Sequence, residues 1–226
     1  IVRYKAALRH DRVHLLPFAV QPTLCHPIES AERRDAFSVD ETGTPTDANA
    51  QAARQRLLET AQSLKPVERG AHLDPKGCRY AIVASTTTQS QSAFEQRAIE
   101  LMASNTVVVC NFSKGLRLLF GDLVISSDNA AAIETGFRER CADALHYRQF
   151  RLLGLRKLHA EHTFAHRLAY IASKTSGREV APRRPRIWAL GRPRTSEEAA
   201  TLIAAFERQA ESGVTLALLA VPDMAF

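Results

Sequence analysis

The chain has 226 residues, 45% of them hydrophobic and 24% charged, the balance of a globular protein long enough to bury a real core. The formal net charge is +6 and the sequence pI is near 9.4, which admits nucleic acid, an acidic membrane or an acidic protein as partner. The longest apolar run, near Val214 to Val221, falls well short of the ~20 residues that cross a bilayer, so no integral membrane segment is expected. Cys25, Cys78, Cys110 and Cys141 are far apart and form no CxxC or Cys/His cluster. They read as reduced thiols of a cytoplasmic protein, with no metal site and no cofactor.

In chain order, Val2 to Leu8 and Val13 to Val20 alternate apolar and polar residues and read as strands, the second pushed to a sheet edge by Pro17. A short helix is expected near Ile28 to Phe37. The polar stretch Ser38 to Ala48 reads as a surface loop or linker. Asp47 or Asn49 caps a helix that packs Leu57, Leu58, Ala61 and Leu64 and stops before Pro66. Asp74 to Gly77 is a turn.

The region from Arg79 has the clearest pattern. Tyr80 to Ala84 and Thr106 to Phe112 are short, continuous apolar runs of the kind found in buried parallel strands. Between them Ser92 and Glu95 form a capping box for a helix ending near Ala103. Leu116 to Ile125, interrupted by Gly121-Asp122, reads as a hairpin or as a strand after a turn. A helix then starts at Asn129, with Ile133, Phe137, Cys141, Leu145, Leu152 and Leu155 on one stripe. Near Gly154 a second stripe takes over, which implies two helices or one kinked helix, placing Ala160, Phe164, Leu168 and Ile171 inward and leaving a basic, histidine-bearing face outward. Gly177 is the expected C-cap. Ile187 to Leu190, a helix opened by Thr195 and Glu198, and Val214 to Val221 complete a second β-α-β unit, whose strands should be parallel. The whole is an α/β fold with a mostly parallel sheet flanked by helices. We expect one domain over 1–226: an N-terminal strand and helix segment (1–70, polar loop 38–48), then a core (79–226) bearing a basic helical insertion (129–177).

Function is less legible than fold. Between Arg148 and Arg194 there are twelve basic residues and two acidic ones, a local charge of +10. A concentrated excess of one sign points to a partner of the other. The first expectation is therefore a surface for nucleic acid or another polyanion, through phosphate contacts from Arg148, Arg151, Arg156, Arg167, Lys174, Arg183, Arg184 and Arg186 that are blind to base sequence.

The second expectation is an enzyme or sensor for a phosphate-bearing small ligand. Parallel sheets bind ligands beyond the carboxyl ends of their strands. That edge would gather loops 85–90, 110–114 and 191–196, with Ser85, Thr86, Thr87, Asn111, Ser113, Lys114, Arg192 and Arg194 as ligand-binding residues. No GxGxxG or GxxxxGK[ST] fingerprint accompanies them. No catalytic residue is assigned. Cys110 is the best-placed thiol, and a buried structural cysteine is the simpler account of it.

The third expectation is a helix that docks on an acidic protein. Peripheral membrane docking ranks below it, because the narrow apolar face would be needed for the core and the polar face carries no Trp. His159, His162 and His166, spaced i, i+3, i+7, could converge on one ion, yet they read more simply as solvated imidazoles.

Overall fold

The β-branched run Val107-Val108-Val109 is buried on both sides, as only a central strand can be, and the rest of the chain is arranged around it. The computed structural model describes residues 2–28, 32–40, 48–70, 74, 76–85, 89–90, 94–182, 187–208 and 214–219. Internal contacts divide the chain into two compact units, Ile1–Ala181 and Pro182–Phe226.

The first unit holds β1 (Arg34–Asp40), β2 (Val67–Gly70), β3 (Cys78–Val83), β4 (Val107–Cys110) and β5 (Ile125–Ser126) in one sheet of order β2-β1-β3-β4-β5. Every neighbouring pair is parallel, so the expected α/β class with a mostly parallel sheet is observed. The order reverses between β1 and β3, which makes their carboxyl ends the switch point of the sheet. Its helices are α1 (Val2–Leu8), α2 (Ala48–Leu64), α3 (Gln96–Ala103), α4 (Lys114–Phe120), α5 (Ala130–Arg140), α6 (Ala144–Glu161) and α7 (Phe164–Ser176). Among the described residues no helix is long and apolar enough to cross a membrane.

Two apolar clusters line the two faces of this sheet. Val83, Ile99, Met102, Val108, Leu116, Phe120 and Leu158 belong to one. Phe37, Leu57, Leu58, Tyr80, Val109, Ile133, Phe137 and Phe150 belong to the other. Helix α6 serves both, through Phe150 and Leu158, and Gly154 sits between these contacts. A Cβ there would lie 3.2 Å from Met102 Cε and 3.7 Å from the Leu123 carbonyl, so glycine permits the close crossing. The second unit contains β6 (Ile187–Gly191), α8 (Ser196–Glu207) and β7 (Val214–Leu218), with β6 parallel to β7. Thr195 Oγ1 accepts from the Glu198 amide at the start of α8, as its spacing predicts.

Several expectations are corrected. Residues 2–8 are helical and none is buried; residues 12–19 form no strand, and only Val20 bridges, to Thr163. Ala6, Ala7 and Leu8 favour helix, and β2 and β5 already occupy the sheet edges. The helix expected at 28–37 is replaced by β1: Ala36, Phe37, Ser38 and Val39 are all buried, and pairing with β2 and β3 overrides local helix propensity. Loop 38–48 therefore shrinks, and its positions 41–47 lie outside the described residues, as does Ser92. Helix α3 begins after Glu95, which makes no side-chain cap bond. Leu116 and Phe120 lie four apart on α4, capped by Ser113, so the run that reads as a hairpin or as a strand after a turn begins as a helix, and only its last residue, Ile125, enters a strand, β5.

The largest correction concerns the helical insertion. Its first break falls at 141–143, where Asp143 caps α6, and Gly154 is helical. The second falls at His162-Thr163, where Thr163 caps α7 and resets the helix phase. Phe164, Leu168 and Ile171 are consequently exposed, by 47%, 66% and 43%, instead of forming a core face, and Ala169 is the buried residue of α7.

Candidate functional site

Because the strands are parallel, the segments that follow β3, β4 and β5 emerge on one edge. Ser85, two residues past β3, is buried beside Asn111, the first residue past β4. Asn111 acts as a side-chain strand extension: its Oδ1 accepts from the Ser85 amide at 2.6 Å, and its Nδ2 donates to the Ser85 carbonyl at 2.9 Å. Ser126, at the end of β5, donates through Oγ to the Asn111 carbonyl (3.1 Å) and accepts from the Ser113 amide (3.2 Å). Asp128 Oδ1 accepts from the Phe112 amide at 3.0 Å, and the Ser127 amide donates to the Cys110 carbonyl at 3.2 Å. The three loop starts are thus fastened to one another. One polar atom is left over. Ser85 Oγ is buried and has no hydrogen-bond partner among the described residues, an unmet demand that costs about 1–3 kcal/mol unless a ligand or water meets it.

A cavity of about 240 Å³ opens at this edge between α2 and α5. Its polar lining comes from Arg56, Glu59, Thr60, Asn111, Ser127 and Asp128, against an apolar wall of Ala53, Leu57 and Ile133. Lys114 is half-buried in the first turn of α4, beside Ser113. The arrangement offers the unpartnered Ser85 hydroxyl, cations at Arg56 and Lys114, and carboxylates at Glu59 and Asp128. Those groups suit a ligand that carries both a phosphate and hydroxyls. Cys110 is fully buried, and burial pushes its thiol up to about 12, so it is a core residue and not a nucleophile at neutral pH.

Of the strand-end residues expected to bind a ligand, Ser85, Asn111, Ser113 and Lys114 share this edge. Thr86 and Thr87 lie outside the described residues. Arg192 and Arg194 belong to the second unit, where both are exposed and the Arg194 amide donates to Glu198 Oε2 at 2.7 Å. Ser126, Ser127, Asp128, Arg56, Glu59 and Thr60 are not among the residues expected from the sequence. The signal for the first three was an apolar run ending in Ser-Ser-Asp-Asn immediately before a capped helix.

The proposed polyanion residues are not equivalent. Arg148, Arg156 and Lys174 are exposed. On α6, eight positions separate Arg148 from Arg156, which turns them about 80° apart. Arg151 is half-buried, its guanidinium 4.9 Å from the centre of the Tyr147 ring. Arg167 donates to the carbonyls of Pro17, Glu161 and Phe18 and to His162 Nδ1, so its hydrogen bonds are spent inside the fold. Arg183, Arg184 and Arg186 lie outside the described residues.

The three histidines also separate. His162 is buried and kept neutral, with burial lowering its pKa to about 4 and Arg167 adding to the effect. His166 Nδ1 accepts from the Thr163 amide in the α7 cap, and burial lowers the pKa of His159. Among the described residues no three His, Cys, Asp or Glu side chains are grouped to hold a metal.

No protein-family model matches the chain, and no curated protein matches it. Among solved structures it is similar to a sucrose-phosphate synthase from Thermosynechococcus elongatus, with a TM-score of 0.52 and 13% sequence identity. The similarity covers 78% of this chain and 56% of that one, so the chain spans little more than half of that protein's length. At this identity the likeness is one of fold.

Proposed function

We propose that the first unit is the ligand-binding part of an enzyme acting on a phosphate-bearing sugar, held at the carboxyl edge of β3, β4 and β5. The observation that carries this reading is the Ser85 hydroxyl, buried and unpartnered at the switch point of a parallel sheet, where ligands of such folds bind. The fold likeness supports the ligand class, since the neighbouring protein is named for a phosphorylated sugar. In this reading Ser85, Ser113 and Lys114 hold the phosphate. Glu59, Asp128 and Arg56 hydrogen-bond sugar hydroxyls in the adjoining cavity. In a glycosyl transfer an acceptor hydroxyl oxygen would form the new bond to the anomeric carbon and lose its proton, while the bond from that carbon to the phosphate oxygen breaks and its electron pair leaves with the phosphate. Donors fixed around the phosphate oxygen would stabilise the developing charge more than they stabilise the bound substrate.

Binding of nucleic acid by the basic helices is the weaker proposal. Arg167 is committed to backbone carbonyls, Arg151 stacks on Tyr147, and Arg148 and Arg156 diverge on α6.

The test is a thermal-shift titration with sugar phosphates and nucleoside-diphosphate sugars. A ligand of the native state raises the melting temperature in proportion to the logarithm of its concentration over Kd. We expect such a rise, reduced in Ser85→Ala and Lys114→Ala. Ser85→Ala removes an unpartnered hydroxyl and so leaves the unliganded melting temperature at or above that of wild type. A flat response to every phosphate-bearing sugar overturns the proposal.

A further inference from the structure

We infer that the groove between residues 12–19 and α7 is where the first unit rests on an anionic lipid surface. The face of α7 that its sequence marks as a core face is not in the core. Phe164, Leu168 and Ile171 are exposed, and so are Leu16 and Phe18 of the strap that runs beside them. Together they line a shallow groove of about 460 Å³. A contiguous apolar patch of large side chains marks a site of association. The polar side chains in that groove are Gln96 and Arg167, and Arg167 has already given its donors to the Pro17 and Phe18 carbonyls. The groove therefore offers little to a polar small molecule.

The charge at one end of the groove selects the occupant. The strap continues toward the start of the chain along α7, with the His14 ring edge-on to Tyr170 at 6.2 Å. Arg12 and His14 then line a second depression with Lys174 and Arg178, opposed there by Glu179. Arg9, Lys5 and Arg3 follow, exposed or half-buried, with Asp11 as the acid among them. An apolar strip bordered by cations matches an interface where acyl chains lie beneath anionic headgroups.

The experiment is flotation of the intact chain with vesicles of phosphatidylcholine alone and of phosphatidylcholine mixed with phosphatidylglycerol. We expect flotation with the mixed vesicles and not with the neutral ones. Leu168→Glu combined with Ile171→Glu should abolish it without lowering the melting temperature, since both positions are exposed. Arg12→Gln and Lys174→Gln should each reduce partitioning about fivefold, the share of one basic residue at an anionic surface. Three outcomes overturn the inference: no flotation of the wild type, flotation that survives the double substitution, or self-association in sedimentation that Leu168→Glu dissolves. In the first of these, retention on immobilised polyglutamate assigns the groove to an acidic protein.

Discussion

At the carboxyl edge of the sheet, serines and an asparagine are buried and bonded to one another, while along α7 a phenylalanine, a leucine and an isoleucine face solvent. Each region inverts the usual relation between polarity and burial, and for different reasons. At the edge, loops must leave three neighbouring strands through a small volume, so their polar atoms satisfy one another and leave Ser85 Oγ to spare. On α7, the Thr163 cap restarts the helix two residues after α6 ends, and the new phase turns the apolar stripe away from the sheet. A buried polar cluster points to a ligand small enough to enter. An exposed apolar strip points to a partner too large to be enclosed.

The contrast is most readily sharpened by truncating one leucine on each side of the Thr163 break. Leu158→Ala, at a fully buried position, should lower the free energy of unfolding by about 2–5 kcal/mol. Leu168→Ala should change it by no more than about 0.5 kcal/mol. Urea unfolding of both variants measures the difference, and equal losses would place α7 in the core after all. Next in size is Asn111→Ala, which strands the Ser85 amide and carbonyl in a buried site and should cost about 1–3 kcal/mol in the same assay.

The last expected effect is confined to a window of pH. His162 is held neutral when folded, with its pKa lowered from 6.5 to about 4, so between these values the unfolded chain binds the proton more readily. Its contribution is complete above 6.5 and is lost as pH falls toward 4. His162→Gln should flatten the pH profile of the melting temperature across that window and leave it unchanged in slope above it.

The parallel sheet was legible because Tyr80 to Ala84 and Thr106 to Phe112 are too uniformly apolar and β-branched for a half-exposed position. Ser85, Asn111, Ser113 and Lys114 followed from that reading, since a strand's end fixes which residues stand at the edge. β1 was not legible: Arg34 to Asp40 mixes charge with apolar residues, and its strand character comes from neighbours on both sides. The break at His162-Thr163 was missed because periodicity through Leu155 to Lys174 continues across it. A cap of Thr163 with His166 is also not the Ser/Thr with Glu pattern that announces a helix start. The charge count of Arg148 to Arg194 was correct as a number. It did not reveal that the Arg167 guanidinium is occupied by backbone carbonyls, a contact set by residues 150 positions away.

That contact has a mechanical consequence. Val20 bridges to Thr163, and Arg167 grips the carbonyls of Pro17 and Phe18, so the start of the chain and α7 form one tethered piece. A force applied at the first residues would load this clasp before it reached the central strands. Because the clasp encloses nearly the whole sheet-forming sequence, it is poised to close after that sheet has assembled. Further residues inserted within the ring would add only logarithmically to the entropy of closing it.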